Sequence, residues 1–204
     1  MSNTSERDIT RVRLRFIDLV KSFFIEEPDA EKLSRWRGIF SALSAEQINP
    51  LLDGAVLQIM ELLDSRSLKD IQDEFYALFS DPFGQDGISL YASFYADGKS
   101  HGQTLADFRG FLASAGVQKA DSVRDAEDTL PVMIDCLASL IELEKEDEKK
   151  AKGLQDVLVS DYLGPLVQRL ERALQDNEKA VFYQAFGHFM LGYTELDQAL
   201  FEAV

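Results

Sequence analysis

Apolar residues recur every three or four positions along almost the whole chain, and no strand-length run shows them alternating with polar ones. That period turns one face of a helix toward a core. Ile9, Val12, Phe16, Leu19, Val20 and Phe23 form the first stripe. Pro28 ends it, because the residue before a proline is pushed out of the helical region. Asp29 can cap a second helix, with Leu33, Trp36, Phe40 and Leu43 on its inner face. Two starts compete for the third helix: the capping box "SAEQ", Ser44 to Gln47, and Asn49–Pro50 one turn later. Its stripe is Leu52, Val56, Ile59, Met60 and Leu63, and "SLKD" from Ser67 opens a fourth helix along Leu68, Ile71, Phe75, Leu78 and Phe79.

The proline, glycine and aspartate content of Ser80 to Gly87 predicts a long loop. A short helix is expected in "SLYASFYA", and a longer one in "GQTLADFRGFLASAG", where Gly116 suits a left-handed C-terminal cap. A polar connection, Gln118 to Glu127, leads into "AEDTLPVMIDCLASL" (Ala126 to Leu140). Here Asp128 or Thr129 can cap, and Pro131 falls in the first turn, where its missing N–H breaks no helical bond. Leu130, Ile134, Leu137 and Ile141 face the core, and Cys136 is a packing residue beside that stripe. Asp128 and Asp135, seven residues apart, share a face about two turns long. That face is the candidate for recognition.

The run "ELEKEDEKKAKG" is expected to be a solvated helix surface or a turn between helices. The last two helices are expected over Leu154–Leu174, with Pro165 a kink or restart, and Glu178–Phe201. The pattern predicts an all-α, single-domain helical bundle over residues 1–204, with about 8–10 helices.

Composition narrows the class. With 204 residues the chain has room for one generous domain, and 46% apolar residues are enough for a sizeable core. The net charge of −15 is uneven: residues 1–50 carry eight basic and eight acidic side chains, so the excess lies beyond them. Between Asp121 and Glu148 ten acids face Arg124 and Lys145. A field of that sign repels nucleic-acid phosphates and anionic lipid and attracts basic peptides. Neither nucleic acid nor stable membrane association is therefore expected. One cysteine allows no internal disulfide framework. Charged residues from Glu6 to Asp18 interrupt any signal peptide, and no apolar run approaches the roughly 20 residues that span a bilayer. The cytoplasm is the expected compartment.

Catalytic chemistry finds little support. His101 sits in a glycine-rich turn and His188 among aromatics, neither with the spacing of a metalloprotease or a nucleophile triad. No phosphate-binding glycine loop occurs, and the Glu-x-x-His pairs of di-iron bundles are missing. No catalytic residue, metal site or cofactor is expected, and the chain is read as a non-enzyme. Aromatics concentrate in "EFYALF", "SLYASFY" and "FYQAFGHFMLGY". Core packing is their ordinary role, yet beside acidic segments they also suit a groove for a basic amphipathic peptide.

Taken in order, "EFYALF", "SLY", "GKSHGQTLADF", "DTLPVMIDCLASL", "YLGPLVQRL" and "FYQAF" resemble the TorD/NarJ chaperones, and within them the NarJ-type branch, the nitrate reductase delta subunits. The resemblance runs from Leu68 to Glu195. Its most specific part is Ser100, Gly102, Gln103, Thr104, Leu105 and Asp107, followed by Asp128, Leu130, Pro131, Val132, Ile134, Asp135, Leu137 and Ala138. It departs at His101, Thr129, Cys136 and Leu166, where relatives commonly carry arginine, tyrosine or histidine, an aromatic, and tryptophan. The resemblance implies an all-helical cytoplasmic chaperone that binds the N-terminal peptide of a molybdoenzyme catalytic subunit, a twin-arginine leader or its remnant. It would hold that apoprotein ready for molybdenum cofactor insertion, with cofactor-delivery proteins as further partners. The residues then expected to contact peptide are Glu74, Tyr76, Phe79, Tyr91, Tyr95, Gln103, Asp107, Asp128, Leu130, Pro131 and Asp135. The alternative is a helical adaptor for an unrelated protein partner.

Overall fold

The computed structural model describes residues 2–81, 83 and 87–202, so part of the loop expected over Ser80–Gly87 lies outside the described residues. Among the described residues there are nine α-helices and no strand. They are α1 (Ser2–Ser22), α2 (Ala30–Leu43), α3 (Pro50–Ser65), α4 (Leu68–Phe75), α5 (Ala92–Asp97), α6 (Gln103–Ala115), α7 (Leu130–Val157), α8 (Gly164–Gln175) and α9 (Phe182–Glu202). A π-helical turn, Tyr76–Ser80, follows α4, and a second, Leu158–Leu163, joins α7 to α8. The all-α expectation holds.

Most helix starts are those that local chemistry favours. Asp29 accepts from the Lys32 N–H at 2.7 Å. Asn49 accepts from Leu52 N–H at 2.8 Å, and Pro50 opens α3. Ser67 and Asp70 cap α4 reciprocally. Of the two candidate starts for α3, the second is therefore used. Ser44, the head of the rejected capping box, instead ends α2 and bonds back to the Ser41 carbonyl. Gly116 takes the left-handed conformation expected of it, at φ 75°.

The helices gather in two compact units, each assembled from separate stretches of chain. One comprises residues 22–89 and 170–203. Its core is aromatic: the Phe23 ring stacks on Trp36 at 4.0 Å and on Phe186 at 3.8 Å, with Phe40 and Phe182 alongside. α3 and α9 meet backbone to backbone. A Cβ on Gly192 would lie 2.7 Å from the Leu52 nitrogen, so only glycine permits this approach. Asn49 then serves both helices, since its amide also donates to the Gly192 carbonyl at 3.0 Å. α9 begins at Phe182, four residues later than the pattern suggests, because Asn177 and its neighbours form a turn.

The other unit comprises residues 1–21 and 90–169. Within it the charged run resolves into a turn inside α7. Asp147 leaves helical geometry at φ −146°, ψ 83°, and its carboxylate caps the returning half through the Lys150 N–H at 3.1 Å. Gln155 donates to the Leu140 carbonyl at 3.3 Å and to Glu144 at 2.7 Å. On a straight helix with a rise of about 1.5 Å per residue those groups would be more than 15 Å apart, so the chain doubles back. Arg13 of α1 closes this hairpin, donating to Glu144 at 3.1 Å and Gln155 at 2.8 Å.

Candidate functional site

The two segments that carry the most specific sequence pattern, residues 90–107 and 126–135, come together within one unit. Tyr91 and Thr129 form an isolated antiparallel bridge. The Leu130 N–H donates to the Leu90 carbonyl and Ala92 N–H to the Asp128 carbonyl, both at 2.9 Å. Asp128 does not cap its own helix. It is fully buried, and one carboxylate oxygen accepts from the Ser93 N–H at 2.9 Å, in the first turn of α5. Thr129 occupies the cap position of α7 with no side-chain cap bond.

From α5 the support passes on by short steps. Gly98 ends the helix in the left-handed region, at φ 72°. Asp97 then reaches across the loop to cap α6, accepting from the Thr104 N–H at 2.9 Å and its hydroxyl at 3.0 Å. The Asp97 carboxylate fills the space a side chain at Gly102 would need: a Cβ there would sit 2.2 Å from its oxygen. His101 takes a left-handed φ of 63°, rare outside glycine, and its N–H donates to Ser93 Oγ at 2.9 Å. The "GKSHGQT" motif is thus a clamp from Asp128 through Ser93 to His101, and from Asp97 to α6. Replacing Gly102 by alanine is expected to displace Asp97 and cost about 0.5–2 kcal/mol, the usual worth of a lost cap. Thermal unfolding measures that loss, and faster amide exchange at Thr104 locates it.

The second oxygen of Asp128 is buried with no hydrogen-bond partner. Above the clamp stand the half-buried Tyr91 and the exposed His101, their rings 5.4 Å apart. Burial, with the charges of Asp125 and Asp128 adding to it, raises the Tyr91 hydroxyl above its ordinary pKa, so it remains a hydrogen-bond donor at neutral pH. Burial pushes Tyr95 up to about 12, with the same result. Gln103 and Asp107 lie exposed on α6, the Gln103 amide donating to the Asp107 carboxylate at 2.8 Å. Pro131 is half-buried in the first turn of α7, and Leu130 is fully buried.

The expected shared face of Asp128 and Asp135 does not exist. Asp128 lies before α7 and faces inward, whereas the Asp135 side chain is 45% exposed and pairs with Lys21. Helical spacing places two residues on one face only when both belong to the helix. Cys136 is 3% exposed, as its packing assignment requires, and burial pushes its thiol up to about 12.

Glu74, Tyr76 and Phe79 belong to the other unit and are unequal in exposure. Tyr76 is exposed, and Phe79 is half-buried against Phe24 and Tyr183. Glu74 is buried and caps α9, accepting from the Val181 N–H at 2.8 Å and the Tyr183 N–H at 2.9 Å. Arg66 lies 3.6 Å from its other oxygen. Nothing local marks Glu74 as a cap, because the helix it serves begins more than 100 residues later. Arg13 was likewise missed, its partners Glu144 and Gln155 lying 131 and 142 residues away. Among the described residues no group of three or more His, Cys, Asp or Glu could hold a metal ion. No helix among them is long and apolar enough to cross a membrane.

The motifs that carry the sequence resemblance therefore act in this all-α chain largely as caps and supports around one polar loop cluster. The chain belongs to the nitrate reductase delta subunit family, whose family model matches residues 45–186. It is also similar to the chaperone protein TorD of Vibrio cholerae serotype O1 (strain M66-2), with 30% identity over 131 residues. That match covers 59% of this chain and 58% of the relative, so the chain spans less than two thirds of the relative's length.

Proposed function

We propose that this protein is a non-enzymatic, cytoplasmic maturation chaperone of the NarJ type. Its client is the catalytic subunit of a molybdoenzyme, whose N-terminal peptide, a twin-arginine leader or its remnant, it binds while the molybdenum cofactor is inserted. Cofactor-delivery proteins are the further partners of that step. The observation that carries this reading is the clamped loop cluster beneath Tyr91 and His101, with an unpartnered buried oxygen of Asp128 at its base. A buried acceptor left unsatisfied costs about 1–3 kcal/mol, so a ligand donor that reaches it gains from a debt already present in the free protein. An arginine guanidinium, with five fixed donors, suits such an acceptor. Within that unit Tyr91, Tyr95, Gln103, Asp107 and Pro131 supply the accessible contacts and Leu130 supports from within; in the other unit, taken by itself, Tyr76 and Phe79 offer aromatic surface. The acidic excess between Asp121 and Glu148 draws a basic peptide in and makes its capture sensitive to salt.

Calorimetry with synthetic peptides that carry adjacent arginines followed by an apolar stretch tests this at low salt. Asp128→Asn keeps an oxygen for the Ser93 N–H but removes the charge, and is expected to weaken binding about tenfold or more, with little loss of stability. Asp135→Ala breaks a part-exposed pair and is expected to weaken binding roughly threefold, with a stability change below about 1 kcal/mol. Silence from every leader peptide of the host's molybdoenzymes overturns the proposal and favours an adaptor for an unrelated partner. Loss of stability in step with binding shows both acids to be purely structural.

A further inference from the structure

The loop that connects α6 to α7 borders a cavity of about 210 Å³, in the same unit as the loop cluster and sharing with it the first turns of α7. Leu112 at the end of α6 and Val132 and Cys136 on α7 are buried and form the floor, while Val117 and Val123 of the loop form the walls. At its edge lies Asp135, paired with Lys21 on one oxygen yet still 45% exposed. The other basic group of the lining, Lys119, has its ammonium engaged by the Asp125 carbonyl and by Glu127 at 3.8 Å. Protein interiors leave few voids larger than a water molecule. For scale, an engineered apolar cavity of roughly 150 Å³ admits benzene. This one accommodates a leucine or phenylalanine side chain.

We propose that this cavity is the anchor pocket for one apolar side chain of the client peptide, with Asp135 receiving a basic residue beside it. The inference rests on the peptide-binding reading and adds to it a subsite, a side-chain class and a register. The occupant's chemistry follows from the site. The floor and walls offer chiefly apolar contact. The exposed Asp135 carboxylate stands at the rim of the chain's most acidic segment, ten acids against two bases from Asp121 to Glu148. A purely apolar ligand would leave that carboxylate unused, and an acidic one would be repelled. An incoming arginine can share Asp135 with Lys21 or replace it, because a part-exposed ion pair holds its partners by less than about a factor of five.

Cys136 provides a reporter placed in the floor. Its rate of labelling by a small methanethiosulfonate measures access to the cavity, and the thiol, protonated by burial, labels slowly from the start. The probes are short synthetic peptides with adjacent arginines followed by phenylalanine, leucine or alanine at one position. On the wild-type protein the phenylalanine and leucine peptides are expected to bind about tenfold or more tightly than the alanine peptide, the worth of burying one large apolar side chain. They are also expected to slow Cys136 labelling several-fold, and the alanine peptide much less. Ala120→Trp, a change at an exposed loop residue lining the cavity, should fill it and abolish the preference for a large apolar residue, so that the three peptides bind alike.

Peptides that bind without preferring a large apolar residue, and without protecting Cys136, overturn the pocket while leaving the chaperone reading standing. Absence of binding by every peptide overturns both. Protection of Cys136 by toluene alone, with none from the peptides, overturns the peptide as occupant in favour of a small apolar ligand. Should Ala120→Trp fail to fold, the protection pattern on the wild-type protein decides the matter.

Discussion

Arg13→Ala is expected to lower the stability of the protein by about 3–5 kcal/mol, the usual cost of stranding one partner of a buried ion pair. Arg13 is 4% exposed and Glu144 only 17% exposed in its side chain, so water cannot replace the missing guanidinium cheaply. The same substitution leaves the Gln155 side-chain oxygen without the donor that reaches it at 2.8 Å. Both losses fall where α7 turns back on itself, so the hairpin loosens together with its attachment to α1. Urea unfolding followed by circular dichroism measures the change. Arg13→Met combined with Glu144→Leu should recover most of it, since an apolar pair of similar volume removes both charges together. A single Arg13→Ala variant within about 0.5 kcal/mol of the wild type would mean that the network lies open to solvent.

Glu74→Ala is expected to cost about 2–4 kcal/mol and to leave peptide affinity unchanged. Its carboxylate is the acceptor for two buried N–H groups at the start of α9, and each such donor left unsatisfied costs about 1–3 kcal/mol. Arg66, 3.6 Å from the other oxygen, loses its partner as well. The neighbouring Tyr183 hydroxyl is raised well above its usual pKa, first by burial and then by the Glu74 charge, and it donates to the Phe23 carbonyl at 3.2 Å. Glu74→Gln keeps an oxygen for both N–H groups and should cost less than about 1 kcal/mol. Urea midpoints and calorimetry on the same preparations separate the two roles. A stable Glu74→Ala protein that binds peptide poorly would make Glu74 a direct ligand contact.

The reassignment of Glu74 and Asp128 is the main way in which tertiary structure altered the sequence-based view of the site. Both stand in short motifs and look like surface acids of helices, where a carboxylate is ordinarily solvated. Each instead spends its charge on the backbone of another helix, Asp128 on α5 and Glu74 on α9. What remains accessible from the expected peptide contacts is Tyr76, Tyr91, Tyr95, Gln103, Asp107, Pro131 and Asp135, with Phe79 half-covered. The cavity beside Cys136 had no sequence signal at all, because a void is defined by what surrounds it.

By itself the sequence determined the helices and most of their ends. Those are set within a turn or two: an apolar stripe at 3.6-residue spacing, Asp29 three residues before the N–H it caps, Pro50 and Pro131 in first turns, Gly116 where a left-handed residue is needed. Tertiary structure alone decided which buried polar groups serve one another. Ser93 and Asp128 are 35 residues apart, Glu74 and Tyr183 are 109, and Arg13 and Gln155 are 142. Desolvation forces each buried group to find a partner wherever the folded chain brings one, and that choice follows from three-dimensional packing, which no local spacing encodes.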